Sequence, residues 1–241
     1  MRRHSPASPT GPSSTARSGS PASIDSTTTS PGSTSNPPLT LIHHTGLAAY
    51  DRMMPWLVLL NGPPAAGKST LARRLVADRP LALVVDIDVI RSQMGGWIDD
   101  PEAAGRAART VAVAACRAHL GAGHDVVIPQ FLGRIDFIDE LAECAADANA
   151  RLIEVALQLT RTEAVAAFDE RRAHPTDITH HDAIALVDRS PSDDPVGDMY
   201  DALRELNDRR PEVVRVDTIR GDVDQTLRRL VDALRSNGMN W

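Results

Sequence analysis

Short apolar runs alternate with longer stretches in which apolar residues recur every three or four positions, from about residue 55 to the end of the chain. Trp56-Leu57-Val58-Leu59-Leu60 is apolar at every position, the pattern of a strand covered on both faces. Leu81–Val85, Val126–Ile128, Leu152–Leu159 and Val213–Val216 read as four further strands. Between them, Leu71, Leu75 and Val76 fall at helical spacing. Pro101–Leu120 is alanine-rich and stops at Gly121-Ala122-Gly123, and Ile135–Ala148 predicts another helix. Thr162 is placed to cap a helix running through Arg172, and Asp222–Arg235 closes the chain as an amphipathic helix. Strands separated by helices imply a parallel sheet with helices on both faces. Right-handed crossovers then gather the loops that follow the strands along one edge, where ligands bind.

Residues 1–50 break this pattern. Met1–Thr40 is dominated by Ser, Thr, Pro and Gly, with Asp25 its only acid. Such a stretch cannot bury enough surface to offset its ordering entropy, which predicts a disordered tail over 1–50 and one α/β domain over 51–241. No run approaches the roughly 18 apolar residues of a membrane span. A net charge of −6 argues against a general nucleic-acid binder, which shows a basic face. Cys116 and Cys144 sit in alanine-rich helical stretches, the pattern of buried thiols in a reducing cytoplasm and not of a disulfide framework.

Lysine occurs once in the chain, at Lys68, inside Gly62-Pro63-Pro64-Ala65-Ala66-Gly67-Lys68-Ser69-Thr70. Every other basic side chain apart from histidine is arginine. G-x-x-x-x-G-K-[ST] is a phosphate-binding loop: backbone N–H groups wrap the phosphates, the ammonium reaches the β- and γ-phosphates, and the Ser69 hydroxyl meets Mg²⁺. A planar guanidinium is too broad for that compact point charge. Strand, loop and helix stand in the order that aims a helix N-terminus at the anion. The sequence therefore predicts ATP and Mg²⁺ as ligands.

Asp86-Ile87-Asp88 leaves the second strand on the same edge as the loop, so that one acid can serve the metal and the other an acceptor. Asp86 is the first choice for the metal and Asp88 for the acceptor, but sequence order alone allows the reverse. Arg91 lies one helical turn beyond Asp88 and can face the same ligand. The third strand runs into Pro129-Gln130-Phe131 where many phosphate-loop enzymes place an aspartate, and Asp125 lies at the wrong end. Gln130 becomes a candidate to orient a ligand, and Arg134 to grip an anionic or polyhydroxy acceptor. The segment from Arg161 to His181 is rich in arginine and histidine, as a lid over a phosphoryl-transfer site would be. Arg172 is the first choice for a charge-neutralising lid arginine, and Arg171 the second.

With these residues the chain resembles the small P-loop kinases of the AAA-type ATPase domain 33 group, near chloramphenicol phosphotransferase, zeta toxins, gluconate kinase and the kinase half of polynucleotide kinase. The resemblance runs from Pro55 to the C-terminus and rests on Gly62–Thr70, Asp86-x-Asp88-x-x-Arg91, the lid and Val216-Asp217-Thr218. It implies a three-layer P-loop sandwich with five parallel strands in the order 2-3-1-4-5 and a helical lid. It also implies that Asp88 lies at or near the general-base position, that Arg91 contacts substrate, and that the Thr218–Gly221 loop lies near adenine. Gln130 departs from the family's usual acid. The function expected is an ATP- and Mg²⁺-dependent phosphotransferase acting on a hydroxyl of a small molecule. The alternatives are a toxin-like nucleotide-sugar kinase, a polynucleotide 5′-kinase, or an ATP-binding regulatory module that hydrolyses slowly. The sequence leaves the acceptor and the oligomeric state open.

Overall fold

Every side chain of β1 (Trp56–Asn61) is buried, because the strand lies at the centre of the sheet with helices against both faces. A computed structural model describes residues 54–240. The tail expected over residues 1–50 lies outside them. Five parallel strands run in the order β2-β3-β1-β4-β5, with β2 at Leu83–Val84, β3 at Val126–Pro129, β4 at Arg151–Gln158 and β5 at Val214–Asp217. This is the three-layer order expected of a P-loop kinase.

The pleat of β1 divides its side chains between two cores. Leu57 and Leu59 pack with α3 (Pro101–Gly121) and α4 (Asp136–Asp147) on one face. Val58 and Leu60 pack with α1 (Lys68–Val76) and α8 (Val223–Ser236) on the other. α3 shows why an alanine-rich run makes a good packing helix. Its buried stripe is Ala104, Ala108, Ala112, Cys116 and Leu120, at four-residue spacing, and small side chains let the helix lie close to the sheet. Cys144 shares that core and both thiols are free. Asp125 sits at the edge of the sheet opposite the phosphate loop. There it accepts the Trp56 N–H at 2.8 Å and pairs with Arg79 at 2.6 Å.

Three sequence expectations change. The second strand, expected over Leu81–Val85, pairs only at Leu83–Val84, because Leu81 takes a left-handed φ of 61° and turns outward. The cap of α5 (Arg161–Ala173) is Thr160 and not Thr162. A capping box needs the acid three residues after the hydroxyl. Thr160 Oγ1 accepts the Glu163 N–H at 3.2 Å, while Glu163 Oε2 accepts the Thr160 N–H at 2.8 Å.

The third change is that α6 (Ile178–Asp188) and α7 (Pro195–Asp208) fill the region after α5, where periodicity shows little. α6 hides itself because Ala183–Val187 is a continuous apolar run without helical spacing. Asp177 caps α6 and Asp194 caps α7, the latter with Pro195 in the first turn, which is the sequence signal that marks the start of α7. α2 (Ile87–Ser92) is a short helix directly after β2. Among the described residues no helix is long and apolar enough to cross a membrane.

Candidate active site

Between β1 and α1 the chain turns through Gly62–Gly67. Gly62 is fixed by packing: a Cβ there would lie 3.0 Å from the Leu157 Cβ. Gly67, at φ 83°, caps α1 in the left-handed region that side chains avoid, and Ala65 joins it there at φ 63°. Left-handed residues turn loop N–H groups into a concave nest, and the first-turn amides of α1 have no intrahelical partner. An anion placed here meets both sets of donors.

The Lys68 ammonium donates to the carbonyls of Gly62 and Pro63, each at 2.9 Å, so its head folds back over the loop. Burial, reinforced by the Arg171 guanidinium, lowers its pKa from 10.5 to about 8 against the opposing pull of Asp88 and Asp86. Ser69 Oγ donates to Asp86 Oδ2 at 2.8 Å. The other Asp86 oxygen accepts the N–H groups of Asp88 (3.1 Å) and Val89 (3.4 Å), capping α2. Burial raises the Asp86 carboxyl above the usual range, and the Ser69 hydroxyl and backbone donors hold it down. A hydroxyl and a carboxylate oxygen side by side form the hard-oxygen pair that suits Mg²⁺, which needs only one or two such groups beside substrate phosphates.

Asp88 is half-buried and pairs with Arg91 at 3.0 Å. Arg91 lies 5.1 Å from the Trp97 ring centre, and its Nε is buried with no hydrogen-bond partner. Sequence reading misses a further acid, Asp182 on α6, which is 7% exposed with Oδ2 unpartnered. Burial raises its carboxyl, while the nearby Arg91 charge opposes the rise.

Asn61 is also missed. It lies at the end of β1, fully buried, and uses its whole amide. Oδ1 accepts the N–H of Gly62 (2.9 Å) and of Leu132 (3.0 Å), while Nδ2 donates to the Leu132 carbonyl (3.1 Å) and to Glu154 (3.3 Å). Glu154 in turn pairs with Arg210. One side chain thus ties the first amide of the phosphate loop to the Gln130–Leu132 loop. Only the position, a polar residue ending an apolar strand just before the loop, hints at this in sequence.

Two cavities flank the phosphate loop. The smaller, about 400 Å³, has Ala65–Gly67 on one side, Glu170, Arg171 and His174 of the lid on another, and Thr218–Gly221 on the third. The larger, about 630 Å³, holds Lys68, Asp88, Arg91, Gln130 and Arg134 together. Gln130 donates its backbone N–H to the Leu60 carbonyl at 3.1 Å, while its side-chain oxygen is buried with no partner. Arg171 lines both cavities, has no ion-pair partner among the described residues, and is pushed below the ordinary arginine value by burial. Arg172, the first choice from sequence, faces elsewhere: it pairs with Asp188 and lies 5.5 Å from the Phe168 ring centre. Adjacent helical residues point about 100° apart, and of the two arginines only Arg171 lines the cavities.

The sequence model of the AAA_33 family, described as AAA domain, matches residues 57–188, more than half of the 241-residue chain. No curated protein matches. Among solved structures, the shikimate kinase of Acinetobacter baumannii in complex with shikimate shares 18% identity at a TM-score of 0.53, over 78% of this chain and 97% of that one. A gluconokinase from Sinorhizobium meliloti 1021 shares 15% at 0.51, over 76% and 94%. The Pnkp1/Rnl/Hen1 RNA repair complex shares 17% at 0.51, over 66% of this chain and 47% of that one. At these identities the likeness shows a common fold.

Proposed function

Because the chain belongs to the AAA_33 family and has the P-loop kinase fold, we propose that it transfers the γ-phosphoryl group of ATP to a hydroxyl of a small molecule. The observation that carries this reading is the pair of cavities meeting at one charged boundary. Lys68 lines the larger, the loop backbone lines the smaller, and Arg171 lines both. A phosphoryl group held at that boundary faces nucleotide on one side and acceptor on the other.

In this reading adenine and ribose occupy the smaller cavity beside Thr218–Gly221. The loop there is fixed by the Thr218 N–H on the Gln158 carbonyl (3.0 Å) and the Ile219 N–H on Thr226 Oγ1 (3.0 Å). The loop amides and Lys68 hold the β- and γ-phosphates, with the ammonium exchanging two carbonyl acceptors for phosphate oxygens. Ser69 and Asp86 would hold Mg²⁺, which supplies charge neutralisation on the phosphates. The acceptor hydroxyl oxygen bonds to the γ-phosphorus as the bond to the β,γ-bridging oxygen breaks. The hydroxyl proton passes to Asp88 and ADP leaves with the bridging oxygen. Arg171 neutralises the equatorial oxygens, since phosphoryl transfer depends mostly on positioning and charge. Arg91 holds Asp88 in place, and Gln130 and Arg134 face the acceptor.

Two predictions arise here. Bound phosphate favours the charged form of Lys68, so its pKa rises from about 8 on binding. ATP affinity is therefore fully present below pH 8 and falls as pH rises through that value, by up to about tenfold per unit. Calorimetric ATP titrations across that range check this, and an affinity flat with pH would contradict it. Separately, Arg171→Ala should slow transfer roughly 10²–10³-fold. Arg172→Ala should leave turnover close to wild type and cost at most about 1 kcal/mol in stability, as expected for an exposed ion pair. Equal loss in both variants would remove the distinction. The function itself is tested by a screen for phosphate transfer from labelled ATP to sugars, nucleosides and antibiotics.

A further inference from the structure

The chain has three phenylalanines, Phe131, Phe137 and Phe168, and all three line the larger cavity. They come from three places: the loop after β3, α4 and α5. Phe137 and Phe168 are buried and back the wall, while Phe131 is half-buried and presents its ring to the space. The lid adds Leu186 and Val187 from α6 and Met199 from α7 to the same wall, and these apolar side chains are only half-buried. Covering them with a ligand would remove apolar surface from water, which contributes to binding in proportion to area.

The polar part of the lining is specific. Lys68 and Arg171 are directed at the phosphates in the proposed function, and Arg91 is held by Asp88. That leaves Arg109 and Arg134, neither with an ion-pair partner among the described residues. The Arg109 guanidinium carbon lies 5.2 Å from the Phe137 ring centre, so a cation and a phenyl face stand together at the wall. Of the carboxylates on this side, Asp198 accepts the Ser192 hydroxyl and Asp136 lies exposed in the first turn of α4. Gln130 lines the same cavity, and its side-chain oxygen is buried without a partner. A neutral apolar ligand would leave the half-buried Arg109 guanidinium without a partner, and a polyhydroxy acid would leave the half-buried Phe131, Leu186, Val187 and Met199 without apolar cover. A volume near 630 Å³ lies within the range that encloses a drug-sized ligand.

We propose that the phosphate acceptor is an amphipathic anion: an apolar, ring-sized body with a carboxylate or similar anionic group held by Arg109 and Arg134, and a hydroxyl directed to Asp88. This rests on the phosphotransferase reading for the fate of the hydroxyl, but the recognition can be measured without any transfer. Calorimetry on the full chain with three probes separates the terms: 6-hydroxy-2-naphthoate has ring, anion and hydroxyl, 2-naphthol lacks the anion, and gluconate lacks the ring.

The naphthoate is expected to bind about tenfold or more tightly than either other probe, the scale of one charge-assisted contact. Arg134→Gln, at an exposed position, should narrow the advantage of naphthoate over naphthol. Arg109→Gln should do the same and serves if the first variant folds poorly. No naphthoate binding, equal affinity for naphthoate and naphthol, or tighter binding of gluconate would each overturn the assignment. Failure of the phosphotransferase reading would show differently, as absence of ATP-dependent transfer to every acceptor while the binding order stands.

Discussion

Lys68→Ala is expected to lower phosphate transfer by roughly 10²–10³-fold or more, the usual loss on removing one preorganised charge donor from a reacting oxygen. Lys68→Arg should fail to restore it. The ammonium sits against two loop carbonyls at 2.9 Å each, a space set by Gly62 and Pro63 and closed behind by the packing of Gly62 on Leu157. A planar guanidinium carries the same charge but spreads it over a fork that this space does not admit. Its charge is also fixed, so the fall in ATP affinity above pH 8 should be lost in the arginine variant. Steady-state transfer and calorimetry on both variants measure these effects. Wild-type-like turnover with arginine at position 68 would remove the assigned role.

The paired acids give the second large effect. Asp88→Asn should slow transfer by roughly 10²–10⁴-fold, the range for losing a general base, with little change in ATP affinity. Asp86→Asn should instead shift the Mg²⁺ requirement of binding and turnover together. The hydrogen bond from Ser69 to Asp86 at 2.8 Å now supports that division, which sequence order leaves open. Asp88 bonds no residue of the loop and faces the larger cavity beside Arg91. A shift in Mg²⁺ requirement in Asp88→Asn, with none in Asp86→Asn, would reverse the roles. Unchanged transfer in both would remove the paired-acid site altogether.

The phosphate loop, its flanking strand and helix, and the parallel sheet are legible in sequence because each depends on local spacing. β1 is apolar throughout, the loop has fixed glycines, and the buried stripe of α3 repeats every four residues. The lid is legible only in composition. α6 carries a continuous apolar run, of which only Ala183, Leu186 and Val187 line the larger cavity, so the helical face is hidden among apolar neighbours. The choice between Arg171 and Arg172 depends on the rotation of α5, and sequence fixes that rotation only to within a residue or two. Asn61 binds across 71 and 93 positions of chain, and Asp182 on α6 stands near Arg91 on α2, far from it in sequence. Contacts of that range arise from packing and leave no motif. The three phenylalanines are visible as letters, but their meeting at one wall requires the fold.

The reading as a whole turns on whether a phosphoryl group moves from ATP to a second molecule at this site. Incubating the full chain with γ-labelled ATP, Mg²⁺ and a panel of hydroxyl-bearing acceptors, then separating the products, measures this directly. The expected result is label in a new acceptor-derived product, dependent on Mg²⁺ and absent in Lys68→Ala. Label recovered only as inorganic phosphate, at a slow rate that no acceptor changes, would contradict it and leave an ATP-binding module.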